Sequence, residues 1–365
     1  MDLGELERLG LYDPHGANRT ERLELLELCE ARGVTLDEMI AANAIGRLPF
    51  VLGDCTMQPG VATIALEGCS ERSGVEPALV LRVWAALGLV DDEVETLRFS
   101  EDDVRALQVL SVAIDTFGEA ATLQLLRVWG DSLARMASAA FHTSLVHAPN
   151  SYLLRAQNEV AAAKAAAELG VMAVGSSIVT DVVFRRHLVR ASHWYDRTYG
   201  PEPELAMLAV GFADLVGFTT ISRRLDARAL ATTVEAFDAI TAEAIALGGG
   251  HRVKLIGDSV MFVAADIATG VRVAELVVGA IAASEVLPVA RAALAHGEVL
   301  VRDGDHFGPV VNLAARLVAF AAPNAVVVPA SLDADLDDRQ FTVLGALDIR
   351  GFELPLECVM FDAIV

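Results

Sequence analysis

Two aspartates in the C-terminal half lie where carboxylates can hold metal ions. Asp214 follows an apolar run typical of a buried strand and precedes Leu-Val-Gly-Phe-Thr-Thr, a turn that enters a helix. Asp258 is at the tip of a predicted hairpin. Two such carboxylates could bind a pair of Mg²⁺ ions and position a polyphosphate for in-line phosphoryl displacement. Taken singly, each aspartate is more typical of an ordinary turn, where aspartate is common.

Three further polar residues stand at informative spacings. Lys254 lies four residues before Asp258 in an otherwise apolar strand. Because a buried lysine is costly unless it is paired, Lys254 is either a functional donor or a solvent-facing edge residue. Asn312 and Arg316 are four residues apart in a predicted helix that Pro309 opens, so they share one face. An amide beside a guanidinium suits a phosphate in its transition state, although the pair alone also fits an exposed polar stripe.

Taken together, these residues occur in three segments that resemble the class III nucleotide cyclases. The segments are 212–219 (Phe-Ala-Asp-Leu-Val-Gly-Phe-Thr), 254–262 (Lys-Leu-Ile-Gly-Asp-Ser-Val-Met-Phe) and 305–316 (Asp-His-Phe-Gly-Pro-Val-Val-Asn-Leu-Ala-Ala-Arg). Six positions match at the family's spacing, and the resemblance covers roughly residues 203–363. It implies an α/β catalytic domain, a ferredoxin-like α+β sandwich, behind a separate N-terminal domain.

The resemblance implies roles for the residues that would hold metal and base. Asp214 and Asp258 would bind two divalent cations, Mg²⁺ or Mn²⁺, with the Leu215 carbonyl as a further ligand. Lys254 and Asp305 would recognise adenine. Guanylyl cyclases of this family usually have Glu and Cys or Ser at these positions, so the substrate implied here is ATP.

The other matches concern the ribose and the phosphates. Asn312 would orient the ribose, and Arg316 would stabilise charge developing on the α-phosphate. Arg291 matches an arginine that contacts the terminal phosphates, and Arg350 is a weaker match of the same kind. Further substrate-binding candidates are Gly217, Phe218 and Thr219.

The resemblance also implies how the sites are assembled. In this family the active sites form between two catalytic domains. One chain supplies Asp214 and Asp258, and the other supplies the base-reading, ribose and α-phosphate residues. A chain that carries both sets implies a homodimer with two composite sites, which would convert ATP into 3′,5′-cyclic AMP and pyrophosphate by two-metal catalysis.

The elements that must position these residues follow a proline-rich joint at 199–204, whose prolines cannot continue a helix. Residues 205–365 are predicted as the catalytic domain, with strands alternating with covering helices. Strands are predicted at 206–213, 251–256, 259–264, 325–328, 341–350 and 357–363, with another ending near 298. Helices are predicted up to about 247, at 267–284 and at 309–320.

Residues 1–198 are predicted as an all-helical domain. Capping patterns begin at Thr35 and Ser100, and long helices are predicted at about 119–146, 151–169 and 172–198. Residues 64–88 resemble a helix-turn-helix, which is either a DNA-binding element or a plain helical hairpin inside a bundle. The second helix of this segment has Arg82 as its one cation, and this favours the hairpin.

The N-terminal half resembles the helical regulatory domain that precedes the cyclase domain in pH-sensing actinobacterial adenylyl cyclases. This implies an autoinhibitory module that dimerises and reports acidity, and that can hold a fatty-acid-like ligand in an apolar channel. Histidine titrates near pH 6.5, so His187 and His193 in the basic segment 181–204 are regulatory candidates. The basic groups of this segment equally fit pairing with surface carboxylates. His306, next to Asp305, is a third regulatory candidate.

Composition narrows the classes of function. Net charge is −22, and residues 201–365 hold 11 Lys+Arg against 22 Asp+Glu, so both halves are acidic and no nucleic-acid partner is expected. Mean hydropathy is +0.45, yet the longest charge-free window, between Arg135 and Arg155, is interrupted by polar residues. We therefore expect a soluble, cytoplasmic protein without a transmembrane segment. The alternatives are a nucleotide-binding sensor without turnover and a transcription factor with a nucleotide-binding domain.

Overall fold

The computed structural model describes residues 2–58, 60, 62–89, 97–147, 158–202, 204–335 and 340–363. The chain divides into two compact units, residues 1–186 and 187–365. The predicted linker at 199–204 stays a prediction.

The N-terminal unit is helical. Its helices are α1 (Leu3–Arg8), α2 (Arg19–Ala31), α3 (Leu36–Ala44), α4 (Val51–Met57), α5 (Leu66–Ser73), α6 (Pro77–Ala86), α7 (Glu101–Phe117), α8 (Glu119–His147) and the first part of α9 (Glu159–Thr198). The predicted capping boxes at Thr35 and Ser100 are confirmed. The side chain of each residue accepts a hydrogen bond from the third helical amide, and the carboxylate of that third residue accepts one from the backbone amide of the cap. One apolar cluster joins α1–α4 to the start of α9, and a second joins α5–α8.

The segment resembling a helix-turn-helix is packed into the second of these clusters. Helices α5 and α6 are joined through Gly74, which has a left-handed backbone (φ +75°). Helix α8 approaches α6 so closely that a Cβ on Gly130 would lie 2.7 Å from the Leu87 carbonyl oxygen. Arg82 forms an ion pair with Glu119. The geometry therefore favours a helical hairpin, in which Arg82 is engaged by a carboxylate.

Helix α9 differs from its prediction in length. It runs unbroken for 40 residues, whereas the sequence predicted two helices separated near Gly170. Gly170 does not end the helix. Because Gly170 has no side chain, Thr56 of α4 can pack closely against the helix. A Cβ built at position 170 would lie only 2.9 Å from the Thr56 Cβ. The predicted helical residues 151–157 lie outside the described part of the chain.

Helix α9 is also the one described helix that is long and apolar enough, by length and composition alone, to cross a membrane. It contains an 18-residue stretch with a mean hydropathy of 1.5, of which 11% is buried. Helices of soluble proteins pass the same test, so the expectation that the chain has no transmembrane segment stays a prediction. The longest charge-free window, between Arg135 and Arg155, lies outside this helix, because a stretch of this hydropathy can include one or two charged residues.

The C-terminal unit is built on one mixed sheet. Its strands are β1 (Leu205–Leu215), β2 (His251–Ile256), β3 (Ser259–Ala264), β4 (Ala290–Arg302), β5 (Asp305–Phe307), β6 (Ala325–Pro329), β7 (Thr342–Leu347) and β8 (Leu356–Asp362). They are ordered β2-β3-β1-β4-β6-β8-β7, with β5 pairing β4. Helices α10 (Phe218–Ser222), α11 (Ala227–Gly248), α12 (Ile267–Ala282) and α13 (Pro309–Leu317) complete the unit.

Apolar side chains cover both faces of this sheet. In β1, Ala209 and Ala213 belong to the cluster that packs α11 and α12, whereas Leu208, Val210 and Phe212 belong to the cluster that packs α13. Successive side chains of a strand point to opposite faces, so β1 is buried on both. A helical N-terminal region followed by this layered sheet confirms the predicted fold class.

The predicted strands and helices of this unit are confirmed within a few residues, except at two places. The sequence missed β5, three residues that follow the Asp303-Gly304 turn. It also extended β7 to residue 350, whereas the strand ends at Leu347. The hairpin of β2 and β3 has the predicted bounds and turns at Gly257 with a positive φ of 64°.

Candidate functional site

Asp214 lies at the end of the central strand β1, between β3 and β4. It pairs in register with Ser259 on one side and with Arg291 on the other. The Arg291 guanidinium donates to one carboxylate oxygen of Asp214, at 3.2 Å from Nη2 and 3.4 Å from Nε. Its Nη1 donates to the Ala319 carbonyl at 3.0 Å. The predicted phosphate-binding arginine is thus placed directly beside a predicted metal ligand.

Asp258 is held against the same strand end by the backbone. The amide of Leu215 donates to the Asp258 carbonyl oxygen at 3.1 Å, which docks the hairpin turn on the end of β1. Burial raises the pKa of Asp214, and the negative charge of Asp258 raises it further, against the opposing effect of Arg291. The structure therefore brings the two predicted carboxylates together, and their charges repel.

The donors present fit a divalent cation. Carboxylate and carbonyl oxygens are the ligands that Mg²⁺ prefers, and a cation would relieve the repulsion between Asp214 and Asp258. Within the described ranges, no group of three or more His, Cys, Asp or Glu residues could by itself hold a metal ion. Magnesium is commonly bound by one or two carboxylates together with substrate phosphates, so such a site is completed by its substrate.

The turn after these carboxylates contains the other predicted substrate-binding residues. Gly217 has a left-handed backbone with a φ of 74° and precedes α10. Phe218 packs against the cluster of α11 and α12, and Gly217 and Thr219 are exposed. The amide of Val216 donates to the Val289 carbonyl at 2.9 Å, which fixes the start of the turn.

A cavity of about 500 Å³ lies beside β2 and α13. The predicted substrate-binding residue Lys254 and the predicted catalytic residue Asn312 line it, together with His306. The rest of the lining is mostly apolar: Phe212, Ile256, Met261, Phe307, Gly308, Val311 and Ala315. Apolar walls with a few convergent polar groups are typical of small-molecule binding sites.

Lys254 and Asp305 form an ion pair at this cavity. The Lys254 ammonium donates to Asp305 Oδ2, and the two side chains are 41% and 31% exposed. The His306 amide donates to the other carboxylate oxygen at 2.8 Å. Burial by itself would raise the pKa of Asp305, but these two hydrogen bonds and the charge of Lys254 lower it. Asp305 is therefore an ionised acceptor.

His306 lines the same cavity with one ring nitrogen unused. Its Nδ1 is buried and has no hydrogen-bond partner. Burial lowers the pKa of His306, and the attraction of Asp305 opposes this while Lys254 and His251 reinforce it. His306 is therefore a neutral imidazole in the wall of the cavity, one residue from Asp305.

Arg316 follows Asn312 by one turn of α13, as predicted. Its Nη1 donates to the carbonyl oxygen of Arg350, and its guanidinium carbon lies 5.8 Å from the centre of the Phe352 ring. Arg350, the weaker predicted phosphate contact, thus contacts Arg316 through its backbone. No local pattern singles out Phe352, because the residue lies 36 positions from Arg316 and contacts it only in the folded chain.

The predicted residues thus fall into two groups within one chain. Asp214, Asp258 and Arg291 meet at the end of β1, while Lys254 and Asn312 line the cavity beside α13, with Asp305 paired to Lys254. The other regulatory candidates, His187 and His193, are exposed on α9.

The sequence also missed a titratable contact made by His251. The ring of His251, at the start of β2, lies 4.1 Å from the ring of Trp194 of α9, centre to centre, and its Nδ1 is buried without a hydrogen-bond partner. Burial lowers the pKa of His251, and the positive charges of Arg190, Arg197 and His187 add to the effect. A histidine before an apolar strand gives no sign of this environment.

Both halves of this chain are similar to parts of known proteins. Residues 5–180 match the family model described as an adenylate cyclase regulatory domain. An uncharacterized protein of Mycobacterium tuberculosis strain H37Rv is 34% identical over 358 residues, which cover 98% of this chain and 93% of that protein. The crystal structure of the adenylyl cyclase CyaB from P. aeruginosa aligns with 43% of this chain and 94% of that one, with a TM-score of 0.38 and 21% identity.

Two further relatives have names that describe their activity. An adenylate cyclase of Streptomyces coelicolor is 34% identical over 274 residues, or 73% of this chain and 70% of that protein. A pH-sensitive adenylate cyclase of Mycobacterium tuberculosis strain CDC 1551 is 28% identical over 357 residues, or 93% of this chain and 88% of that protein. With a regulatory-domain match and relatives that span most of its length, this enzyme belongs to the class III adenylate cyclases.

Proposed function

We propose that the chain converts ATP into 3′,5′-cyclic AMP and pyrophosphate at sites shared by two copies, with two divalent cations at each. One observation carries this proposal: the cavity lined by Lys254 and Asn312 has neither Asp214 nor Asp258 among its lining residues. A base-binding cavity that lacks the metal ligands in its lining can be completed by the metal ligands of a second copy.

The Lys254–Asp305 pair accounts for base recognition. A bound adenine would enter between these residues, with Lys254 donating to a ring nitrogen and the ionised Asp305 accepting from the exocyclic amine. Guanine has a carbonyl oxygen where adenine has that amine, and this oxygen would face the Asp305 carboxylate without a proton between them. An unpaired polar contact of this kind strongly disfavours the wrong substrate.

The remaining residues act on the ribose and the phosphates. Asn312 would hold the ribose so that its 3′-hydroxyl faces the α-phosphorus, and Arg316 would donate to the α-phosphate oxygens as negative charge develops on them. Arg291 would leave Asp214 for the terminal phosphates. Mg²⁺ or Mn²⁺ at Asp214, Asp258 and the Leu215 carbonyl would lower the pKa of the 3′-hydroxyl and neutralise the triphosphate.

An exposed apolar face on α9 supports association with a second copy. Large apolar side chains that are 44–71% exposed recur through its middle: Val171, Met172, Val174, Ile178, Val179, Val182, Val183, Phe184, Leu188 and Val189. An apolar surface of this length is seldom left in contact with water. We infer that α9 packs against α9 of the partner, which would make the homodimer that composite sites require.

We also propose that the enzyme acts in the cytoplasm, where ATP is available, and that pH regulates its activity. The relative named as pH-sensitive and the histidines at the C-terminal end of α9 support this. His187 and His193 are exposed there, and Trp194 contacts His251 of β2, the strand that carries Lys254. Regulation by a fatty-acid-like ligand remains a prediction from the resemblance.

The first test is cyclic-nucleotide formation by the purified full chain. ATP or GTP is supplied with Mn²⁺ or Mg²⁺ at pH values from 5.5 to 8, with Asp214→Ala as the inactive control. We expect cyclic AMP from ATP, and a rate that changes with pH. Nucleotide binding without turnover at any pH would instead favour the sensor, and the activity proposed here would be wrong.

Mixing two inactive variants tests the composite site. Asp214→Asn disables the metal face and Asn312→Ala disables the base face, so each homodimer is inactive. In the mixed dimer one of the two sites combines the intact faces, so co-expression restores about a quarter of the wild-type activity when subunits exchange at random. Co-expression without recovery, from dimers shown to be mixed by two affinity tags, would place the whole site in one chain.

A further inference from the structure

A short turn after β7 holds the side chain of Arg316 in place. The turn consists of Ile349, Arg350, Gly351 and Phe352, and the Phe352 amide closes it by donating to the Ile349 carbonyl at 3.0 Å. Ile349 is 1% exposed and anchors the turn in the apolar cluster beneath α13. The Arg350 carbonyl accepts a hydrogen bond from Arg316 Nη1. The turn and α13 are thus joined through one guanidinium group.

Gly351 provides the space that this guanidinium occupies. A Cβ built on Gly351 would lie 2.8 Å from Arg316 Nη1 and 3.5 Å from its Cζ. The backbone of Gly351 is also left-handed, with a φ of 83°, which residues with side chains rarely adopt. The left-handed backbone favours glycine here, and a side chain at this position would have to displace the Arg316 guanidinium.

Phe352 supports the guanidinium from a second direction. The ring centre lies 5.8 Å from Arg316 Cζ, within the range of a cation–π interaction. Phe352 itself packs against the cluster that includes Leu317 of α13, which limits the movement of the ring. A guanidinium can stack on an aromatic face while its N–H groups remain free to donate in its own plane.

We propose that Gly351 and Phe352 are positioning residues for Arg316, and that they orient its guanidinium for the reaction before substrate binds. This rests on the role of Arg316 proposed above. Of the five guanidinium N–H groups, the turn engages one through Arg350, so the others remain for the α-phosphate oxygens. A long side chain that is already oriented loses less conformational entropy in the transition state.

The test separates positioning from general stability by steady-state kinetics of the full chain. Phe352→Leu keeps an apolar side chain but removes the aromatic face, and Phe352→Tyr keeps the face. We expect kcat for ATP to fall about tenfold in Phe352→Leu with KM unchanged, because Arg316 acts on charge that forms in the transition state. Phe352→Tyr should retain wild-type kcat. Phe320→Leu, a 42% exposed phenylalanine just after α13, is the matched control and should also retain it.

A double-mutant cycle decides whether the effect passes through Arg316. In an Arg316→Lys background, Phe352→Leu should lower kcat by less than twofold, since the stacked guanidinium is already gone. An equal loss of kcat in both backgrounds, or a loss in Phe352→Tyr equal to that in Phe352→Leu, would overturn the inference. Phe352→Met replaces Phe352→Leu in the cycle if the leucine variant unfolds below the assay temperature.

The outcomes also distinguish this inference from the proposed function. A wild-type chain that forms no cyclic AMP, or an Arg316→Ala variant with full activity, would refute the function proposed for the site. An inactive Arg316→Ala variant beside a fully active Phe352→Leu variant would refute only the positioning role.

Discussion

Lys254 and Asp305 form an ion pair in which the lysine ammonium donates to the aspartate carboxylate. Their ion pair connects β2 to β5 at the rim of the cavity that Asn312 also lines. The two side chains are held near each other and remain partly exposed. A bound planar base could therefore replace their contact with each other by two contacts of its own, one to each side chain. The ion pair therefore keeps the two groups that would recognise a purine close to each other before it binds.

Removing the charge of Asp305 should weaken ATP binding more than it slows the reaction. We expect Asp305→Asn to raise KM for ATP about tenfold with kcat changed less than threefold, because a hydrogen bond to a charged acceptor contributes about 1.5–3 kcal/mol. The matched control is Asp303→Asn, in the turn that precedes β5. Equal KM values for Asp305→Asn and wild type would show that Asp305 does not contact the base.

The carboxylates at the end of β1 should bind the metal ions. Asp214→Asn and Asp258→Asn should each reduce cyclic AMP formation by at least about a thousandfold, since the metal ions stabilise charge throughout the transfer. Calorimetric titration of Mn²⁺ in the presence of a non-hydrolysable ATP analogue should show weaker binding to both variants. Asp348→Asn, an exposed change in the same unit, is the control. Wild-type Mn²⁺ affinity in Asp214→Asn would contradict the assignment.

The half-buried ring of His251 should make the free energy of unfolding decrease as the pH falls. Its pKa in the folded chain is below the usual value of 6.5, so below that pH the unfolded chain binds a proton that the folded chain excludes. The free energy of unfolding is therefore fully retained above about pH 6.5 and decreases as the pH falls toward the lowered pKa, by at most about 1.4 kcal/mol per pH unit for one proton.

Urea unfolding at pH 5.5–7.5 checks this prediction. His251→Phe keeps a ring against Trp194 but cannot titrate, so its unfolding free energy should depend less steeply on pH than that of wild type. His306, whose pKa is also lowered, contributes to the slope that remains. Phe320→Leu, an exposed change in the same unit that alters no titratable group, should retain the wild-type slope. Identical slopes in His251→Phe and wild type would contradict the prediction.

Two glycines test how tightly α9 packs against α4. A Cβ on Gly53 of α4 would lie 2.7 Å from the Ala166 carbonyl oxygen of α9, whereas a Cβ on Gly175 would meet nothing within 4 Å. Gly53→Ala should therefore lower the free energy of unfolding by about 1–3 kcal/mol through overpacking. Gly175→Ala should raise it by about 0.5–1 kcal/mol, because alanine is the better helix former. Thermal unfolding followed by circular dichroism checks both, and a stabilised Gly53→Ala would contradict the packing.

The sequence alone determined much of the catalytic unit, because its signals are local. Apolar runs bounded by Gly257-Asp258 and by Gly308-Pro309 specify the hairpin of β2 and β3 and the start of α13, and both have the predicted bounds. The motif spacings around Asp214 and Asn312 identified the family that the comparisons support. Local patterns failed where tertiary contacts decide: Gly170 predicted the end of a helix, yet it serves packing on Thr56.

Only the tertiary structure decided which of these residues meet. Two contacts depend on how the strands are paired, that of Arg291 with Asp214 and that of Lys254 with Asp305. They join residues that are 77 and 51 positions apart in the chain. The turn that holds Arg316 and the Trp194 ring that contacts His251 likewise join segments far apart in the chain. A sequence pattern reports the neighbours along one strand or helix, whereas a side chain's charge state and orientation are set by whatever the fold brings against it.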